Sequence, residues 1–190
     1  MARTEYECRI LNIDLEEFLS KLESLDAEDK GERLQRRFVY DFDPVDPDKW
    51  IRLRTNGNVT TLAIKSLKRT DAIGNTDEEE VVVGDFDTTN RILEQLGYKH
   101  RNYQENKRHS FKFGQVSIDI DSWPRIPTYV EVEGSSEEEV LYTLKILGVD
   151  LSQVTTKDVE SIYREIYGID LLSIKELKFS EDMLEPHKSL

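Results

Sequence analysis

Acidic and basic side chains return at every second position in several short stretches of this chain. Glu5, Glu7 and Arg9 alternate with Tyr6, Cys8 and Ile10, and Arg52 and Arg54 alternate with Ile51 and Leu53. Lys65 follows Ile64, and carboxylates recur in Glu78-Glu79-Glu80, Asp119-Ile120-Asp121 and Glu131-Val132-Glu133. A period of two places such side chains on one face of a strand, so their charges converge on common surfaces. Clustered carboxylates without a His or Cys cluster suit hard, oxygen-loving cations, which makes Mg²⁺ or Mn²⁺ the expected metal and disfavours zinc. Arginine and lysine meet phosphate oxygens, and carboxylates hold the cations that bridge to them. A polyphosphate with a divalent metal would therefore satisfy both signs at once.

Other chemistries find little support. The histidines His100, His109 and His187 are scattered, Cys8 falls on the apolar side of its stretch, and no glycine-rich phosphate loop is present.

The elements that must position these charges are legible from the same periodicity. Strands are expected at Glu5–Ile10, Trp50–Arg54, Val59–Leu67, Glu78–Val83, Val116–Asp121 and Tyr129–Gly134, with a hairpin turn at Asn56-Gly57-Asn58. Helical spacing marks Asp14 to Leu25 with Asp14 as cap, Thr88 to Leu96 ending at Gly97, Ser136 to Leu147 behind a Ser136/Glu139 capping box, and Thr155 to Tyr167. Cross-strand ion pairs on a solvent-facing sheet would explain any one of these strands alone. The opposite faces are apolar, however, and the helices are numerous enough to wrap the sheet. A sheet that turns its apolar side outward to helices turns its charged side inward, as in a closed barrel with a polar lumen. Such a lumen stays wet or holds a ligand, because that many charges cannot be buried without partners.

At 190 residues the chain is expected to form one domain, 1–190, with 173–190 as a loosely held tail. A net charge of −13 argues against nucleic acid as the main partner. No apolar run is long enough to span a bilayer, and the polar Met1-Ala2-Arg3-Thr4-Glu5 start does not resemble a secretory signal, so no membrane association is expected. A single cysteine, Cys8, fits a reducing compartment, and the expected location is cytoplasmic. A homodimer stays open.

Glu5-Tyr6-Glu7-Cys8-Arg9 resembles the Glu-x-Glu-x-Lys signature that opens the CYTH family, also called the triphosphate tunnel metalloenzymes, which includes class IV adenylate cyclases and thiamine triphosphatase-like proteins. Segments similar to the rest follow in the family's order: Arg52-Leu53-Arg54, the Lys65 strand, Glu78-Glu79-Glu80, Lys107-Arg108-His109-Ser110-Phe111, Asp119-Ile120-Asp121 and Glu131-Val132-Glu133-Gly134. The match runs from Glu5 to about Leu147. It implies an α+β fold with a closed eight-stranded antiparallel β-barrel, helices packed on its outside, and Mg²⁺- or Mn²⁺-dependent activity on a triphosphate-containing small molecule. By resemblance, Glu5, Glu7, Glu131 and Glu133 hold metal, and Arg9, Arg52, Arg54, Lys65 and Arg108 grip phosphate. Glu78, Glu80 and Asp121 then join Glu5 and Glu7 among the catalytic carboxylates.

The chain departs from the pattern in three places. Arg9 stands where the family usually has lysine, and a guanidinium cannot supply a neutral amine. Asn106 falls where the lysine of a Lys-x-Arg pair is expected, which leaves Lys107 one residue out of register and pointing outward. Trp123-Pro124-Arg125-Ile126-Pro127 replaces a Gly-containing turn, with Arg125 either a rim phosphate contact or a solvated turn residue. Three functions follow in order of preference: hydrolysis of inorganic triphosphate, polyphosphate or a nucleoside or thiamine triphosphate; adenylate cyclisation; and polyanion binding without turnover.

Overall fold

The computed structural model describes residues 3–68 and 72–180. Its framework is β1 (Arg3–Ile10), β2 (Glu28–Asp41), β3 (Lys49–Thr55), β4 (Thr60–Leu67), β5 (Thr76–Val83), β6 (His100–Phe113), β7 (Val116–Ser122) and β8 (Tyr129–Gly134). Every neighbouring pair among these is antiparallel, and the ladder closes through β1–β5, β1–β8 and β6–β7. The result is the expected α+β architecture, a closed eight-stranded antiparallel barrel with helices outside. Two short strands are added to its rim: β9 (Val154–Thr155) on β1, and β10 (Glu176–Leu177) parallel to β6.

The apolar faces do turn outward. Cys8 and Ile10 of β1, Ile118 and Ile120 of β7, and Val130 and Val132 of β8 pack with Phe18 and Leu22 of α1 (Leu15–Ser24) and Val140 and Leu144 of α3 (Glu137–Leu147). Across the barrel, Ile51 and Leu53 of β3 and Tyr40 of β2 meet Phe86 and Leu93 of α2 (Phe86–Gln95). A third cluster joins Leu11, Trp123 and Tyr129 to Ile162 and Tyr163. The wrap is incomplete at β5, where Val81, on the face opposite Glu78 and Glu80, stands exposed.

Local chemistry sets the element ends. Asp14 accepts from the Glu17 N–H at 3.0 Å, as its cap position requires. Helix α2 begins at Phe86, two residues before the expected Thr88, because Asp85 is the cap and accepts from the Thr88 N–H at 2.7 Å. Ser136 caps α3 as expected, but the Glu139 carboxylate returns to Ser135 N–H and Oγ rather than to Ser136. The helix expected from Thr155 starts later. Thr155 pairs with Arg9 in β9, and α4 (Val159–Ser161) begins behind the Asp158 cap and continues as a π-helical turn over Ile162–Ile166.

The beginning of the expected loose tail is docked. Leu177 is buried, and the Phe179 N–H donates to Glu105 at 3.3 Å. Residues 181–190, including Pro186 and His187, lie outside the described residues.

Candidate active site

The inward faces of the strands build a charged lumen of about 480 Å³. From β1 come Glu5, Glu7 and Arg9, all buried. The ladder between β1 and β8 sets Glu7 opposite Glu133 and Arg9 opposite Glu131, so the first and last acidic motifs share one wall. Strand β3 adds Arg52 and Arg54, β4 adds Lys65, and β5 adds Glu78 together with Glu80, whose side chain is a third exposed. Arg108 on β6 lies opposite Asp121 on β7. Every site residue expected from the sequence therefore points into the same space.

Within that space the charges pair with one another. Arg9 reaches Glu131 at 2.7 Å and Glu7 at 2.8 Å, and also donates to the Lys157 carbonyl at 2.9 Å. Lys65 holds Glu5 at 2.7 Å. Arg52 contacts Glu78 at 2.7 Å and Glu80 at 3.1 Å. Arg108 is the most heavily bound, with Asp121 at 2.5 Å and Asp119 and Glu131 both at 2.9 Å.

These contacts tune the carboxyls unequally. Burial opposes ionisation of Glu131, yet Arg108, Arg9 and Lys65 outweigh it and hold this carboxyl well below the usual range. Glu133 goes the other way. Burial and the nearby charges of Glu131, Glu7 and Glu5 push it up to about 7, with only Arg3 at 3.6 Å in partial compensation. Burial also raises Glu5 despite Lys65, and the neighbouring Glu78 adds to the rise.

The donor side is under-satisfied. Nε of Arg9, Arg37 and Arg52, Nε1 of Trp123 and the Tyr129 hydroxyl are buried without a hydrogen-bond partner. Buried donors left in this state penalise the fold unless an acceptor such as water or a ligand oxygen reaches them.

The CYTH domain model matches residues 3–163. The chain belongs to the CYTH family. A search of curated proteins gives no match. Among solved structures, a conserved hypothetical protein of Pyrococcus furiosus is 23% identical, with a TM-score of 0.70 over 82% of this chain and 97% of that one. A candidate adenylate cyclase of Vibrio parahaemolyticus is 15% identical, with a TM-score of 0.71 over 88% and 99%. A candidate adenylyl cyclase of Hippeastrum, described as having a dominant triphosphatase activity, is 16% identical, with a TM-score of 0.58 over 92% and 100%. At these identities the likeness is one of fold.

The departures from the CYTH pattern take definite positions. Lys107 does point outward, with its ammonium 5.7 Å from the Phe179 ring centroid. Arg125 is an exposed turn residue with φ of 70° and does not line the lumen. Asn106 is fully buried, and its amide nitrogen donates to Asp121 at 2.9 Å. Among the inward-facing charges that the sequence-based choice of site residues left out are Asp119, bound to Arg108, and Arg37. Asp119 shares the inward face of Asp121, a spacing that was visible in the motif. Arg37 comes from β2, a strand that the periodicity had not marked.

Proposed function

We propose that this CYTH protein is a divalent-metal-dependent hydrolase of a triphosphate substrate, with inorganic triphosphate as the simplest case. The observation that carries the reading is the lumen itself. Arg9, Arg52, Arg54, Lys65 and Arg108 converge on one cavity with buried, unmet N–H donors among them, which is the demand a polyanion supplies. The triphosphatase activity of the Hippeastrum relative points the same way.

Whether a metal suits this lumen is a question of donors. Glu5, Glu7, Glu131 and Glu133 on β1 and β8 are all oxygen ligands, and the rise of the Glu133 carboxyl marks a cluster short of positive charge. Among the described residues no three of them already gather around one point, because Arg9 and Lys65 occupy them. The donor chemistry fits Mg²⁺ or Mn²⁺, provided the cations turn from carboxylates to phosphate. When bound, such a metal supplies Lewis-acid polarisation of phosphoryl oxygens and acidifies a water. The chain's own part is to hold the phosphate chain in line and to neutralise charge as the bridging oxygen leaves, with Arg9, Arg52, Arg54, Lys65 and Arg108 in contact with substrate.

The test is phosphate release from inorganic triphosphate and from ATP, with and without Mg²⁺ or Mn²⁺, with the ATP reaction analysed for cyclic AMP. Metal-dependent phosphate release, faster from inorganic triphosphate, is expected. Cyclic AMP with pyrophosphate would replace the hydrolase by a cyclase, and binding without any product would leave a polyanion-binding module.

A further inference from the structure

Arg37 differs from every other cation inside the barrel. Its side chain is buried on the inward face of β2, yet no carboxylate lies within ion-pair distance of it among the described residues. Nη2 donates to the Gln35 side-chain oxygen at 3.1 Å and to the Asn106 amide oxygen. Both acceptors are neutral. Nε has no acceptor at all. The carboxylate nearest in the network, Asp121, is taken by Arg108 and by the Asn106 amide nitrogen, so Asn106 separates Arg37 from the one negative charge it could have reached.

The surroundings add more positive charge. The ladder between β2 and β3 sets Arg37 directly opposite Arg54, a like-charge pairing that destabilises a sheet. Burial, together with Arg54, Arg52 and Arg108, lowers Arg37 to about 9, which still leaves it cationic at neutral pH. Arg54 is lowered to about 10, chiefly by Arg52. The guanidinium is nevertheless firmly aimed. It lies 4.5 Å from the Trp123 ring centroid, with the Gln35 and Asn106 oxygens fixing its plane. A buried guanidinium without a counter-ion, lining the cavity opposite a second arginine, is arranged for an incoming anion.

We propose that Arg37 is a substrate-binding residue that contacts a phosphoryl group of the triphosphate, and that it forms a basic subsite in the lumen with Arg54, whose one carboxylate contact among the described residues is Glu80 at 3.6 Å. The proposal rests on the triphosphate reading above and assigns to β2 a role that reading does not contain. The ligand class for the subsite is a phosphoryl oxygen carrying net negative charge, not one already neutralised by metal. The metal-site carboxylates Glu5, Glu7, Glu131 and Glu133 all belong to β1 and β8, strands that do not pair with β2 or β3.

The experiment is calorimetric titration of inorganic triphosphate in chelator, so that turnover does not compete, on wild type, Arg37→Gln, Asn106→Lys and the Arg37→Gln/Asn106→Lys double variant. Each is also melted without ligand. Arg37→Gln is expected to weaken binding about 10- to 100-fold, the range for losing a charge-assisted contact. Its ligand-free melting temperature is expected to equal or exceed that of wild type, because a buried like charge has been removed. Asn106→Lys in the Arg37→Gln background is expected to restore most of the affinity, since Asn106 touches the guanidinium and a lysine there returns one cation to the same place.

Unchanged affinity in Arg37→Gln would overturn the proposal. So would weaker binding with a lowered melting temperature and no recovery in the double variant, which is the pattern of a structural brace. A wild type that neither binds triphosphate nor releases phosphate would overturn the hydrolase reading, and this proposal with it.

Discussion

The lumen has two kinds of arginine. Arg9 and Arg108 sit between carboxylates supplied by β1, β7 and β8, each closing ion pairs at 2.9 Å or less. Arg37 and Arg54, opposite each other on β2 and β3, have nothing comparable, the best contact being Arg54 to Glu80 at 3.6 Å. The first kind stabilises the empty barrel, and breaking it exposes a buried charge. The second kind holds positive charge in readiness, and the empty barrel gains little from it. Stability and ligand affinity are therefore expected to separate along the two walls.

The largest effect is expected on the paired wall. Glu131→Gln removes the carboxylate shared by Arg9 and Arg108 and should cost about 3 to 5 kcal/mol in a urea titration, with phosphate release lost as well. A stability close to wild type would show that the pairs contribute little and would dissolve the comparison. On the other wall, Arg54→Gln should leave the urea midpoint of the empty protein unchanged while weakening triphosphate binding about tenfold. A loss of stability as large as that in Glu131→Gln would place Arg54 in the first class.

The smallest expected effect concerns pH. Glu133 titrates near 7 in the fold against an ordinary value of 4.5, so the folded state binds the extra proton. That contribution to stability is fully present at low pH, declines as pH rises from about 4.5, and is gone above about 7. Melting wild type and Glu133→Gln side by side across this range should show wild type losing ground relative to the variant. A constant difference would mean that Glu133 is not held against its neighbours' charge.

Much of the lumen was legible because barrel closure imposes a strict rule on short strands, dry on one side and charged on the other. Glu5, Glu7 and Arg9 announce themselves against Tyr6, Cys8 and Ile10 for this reason, and so do Arg52 and Arg54 against Ile51 and Leu53. The rule fails where a strand runs out of the barrel. The first half of β2, from Glu28 to Leu34, is exposed on both faces and carries charges at nearly every position, so no alternation survives. Arg37 is hidden further by Arg36, which points outward with its guanidinium 5.3 Å from the Phe86 ring centroid. The outward pair Phe38 and Tyr40 held the missing clue, since their parity places Arg37 and Val39 inside. The helix starts at Val159 and not at Thr155 because the tertiary pairing of Thr155 with Arg9 takes precedence over a helical pattern that looks continuous in sequence.

The internal pairing of Arg9, Lys65, Arg52 and Arg108 makes the tunnel an ion exchanger loaded with its own counter-ions. Each phosphate oxygen that takes one of these four cations releases a carboxylate, and each released carboxylate needs a cation from outside. Under the proposed triphosphate function, uptake of triphosphate and uptake of divalent metal would be coupled at these four cations, with each raising the apparent affinity for the other. The fixed charges of the fold thus meter which ions enter together.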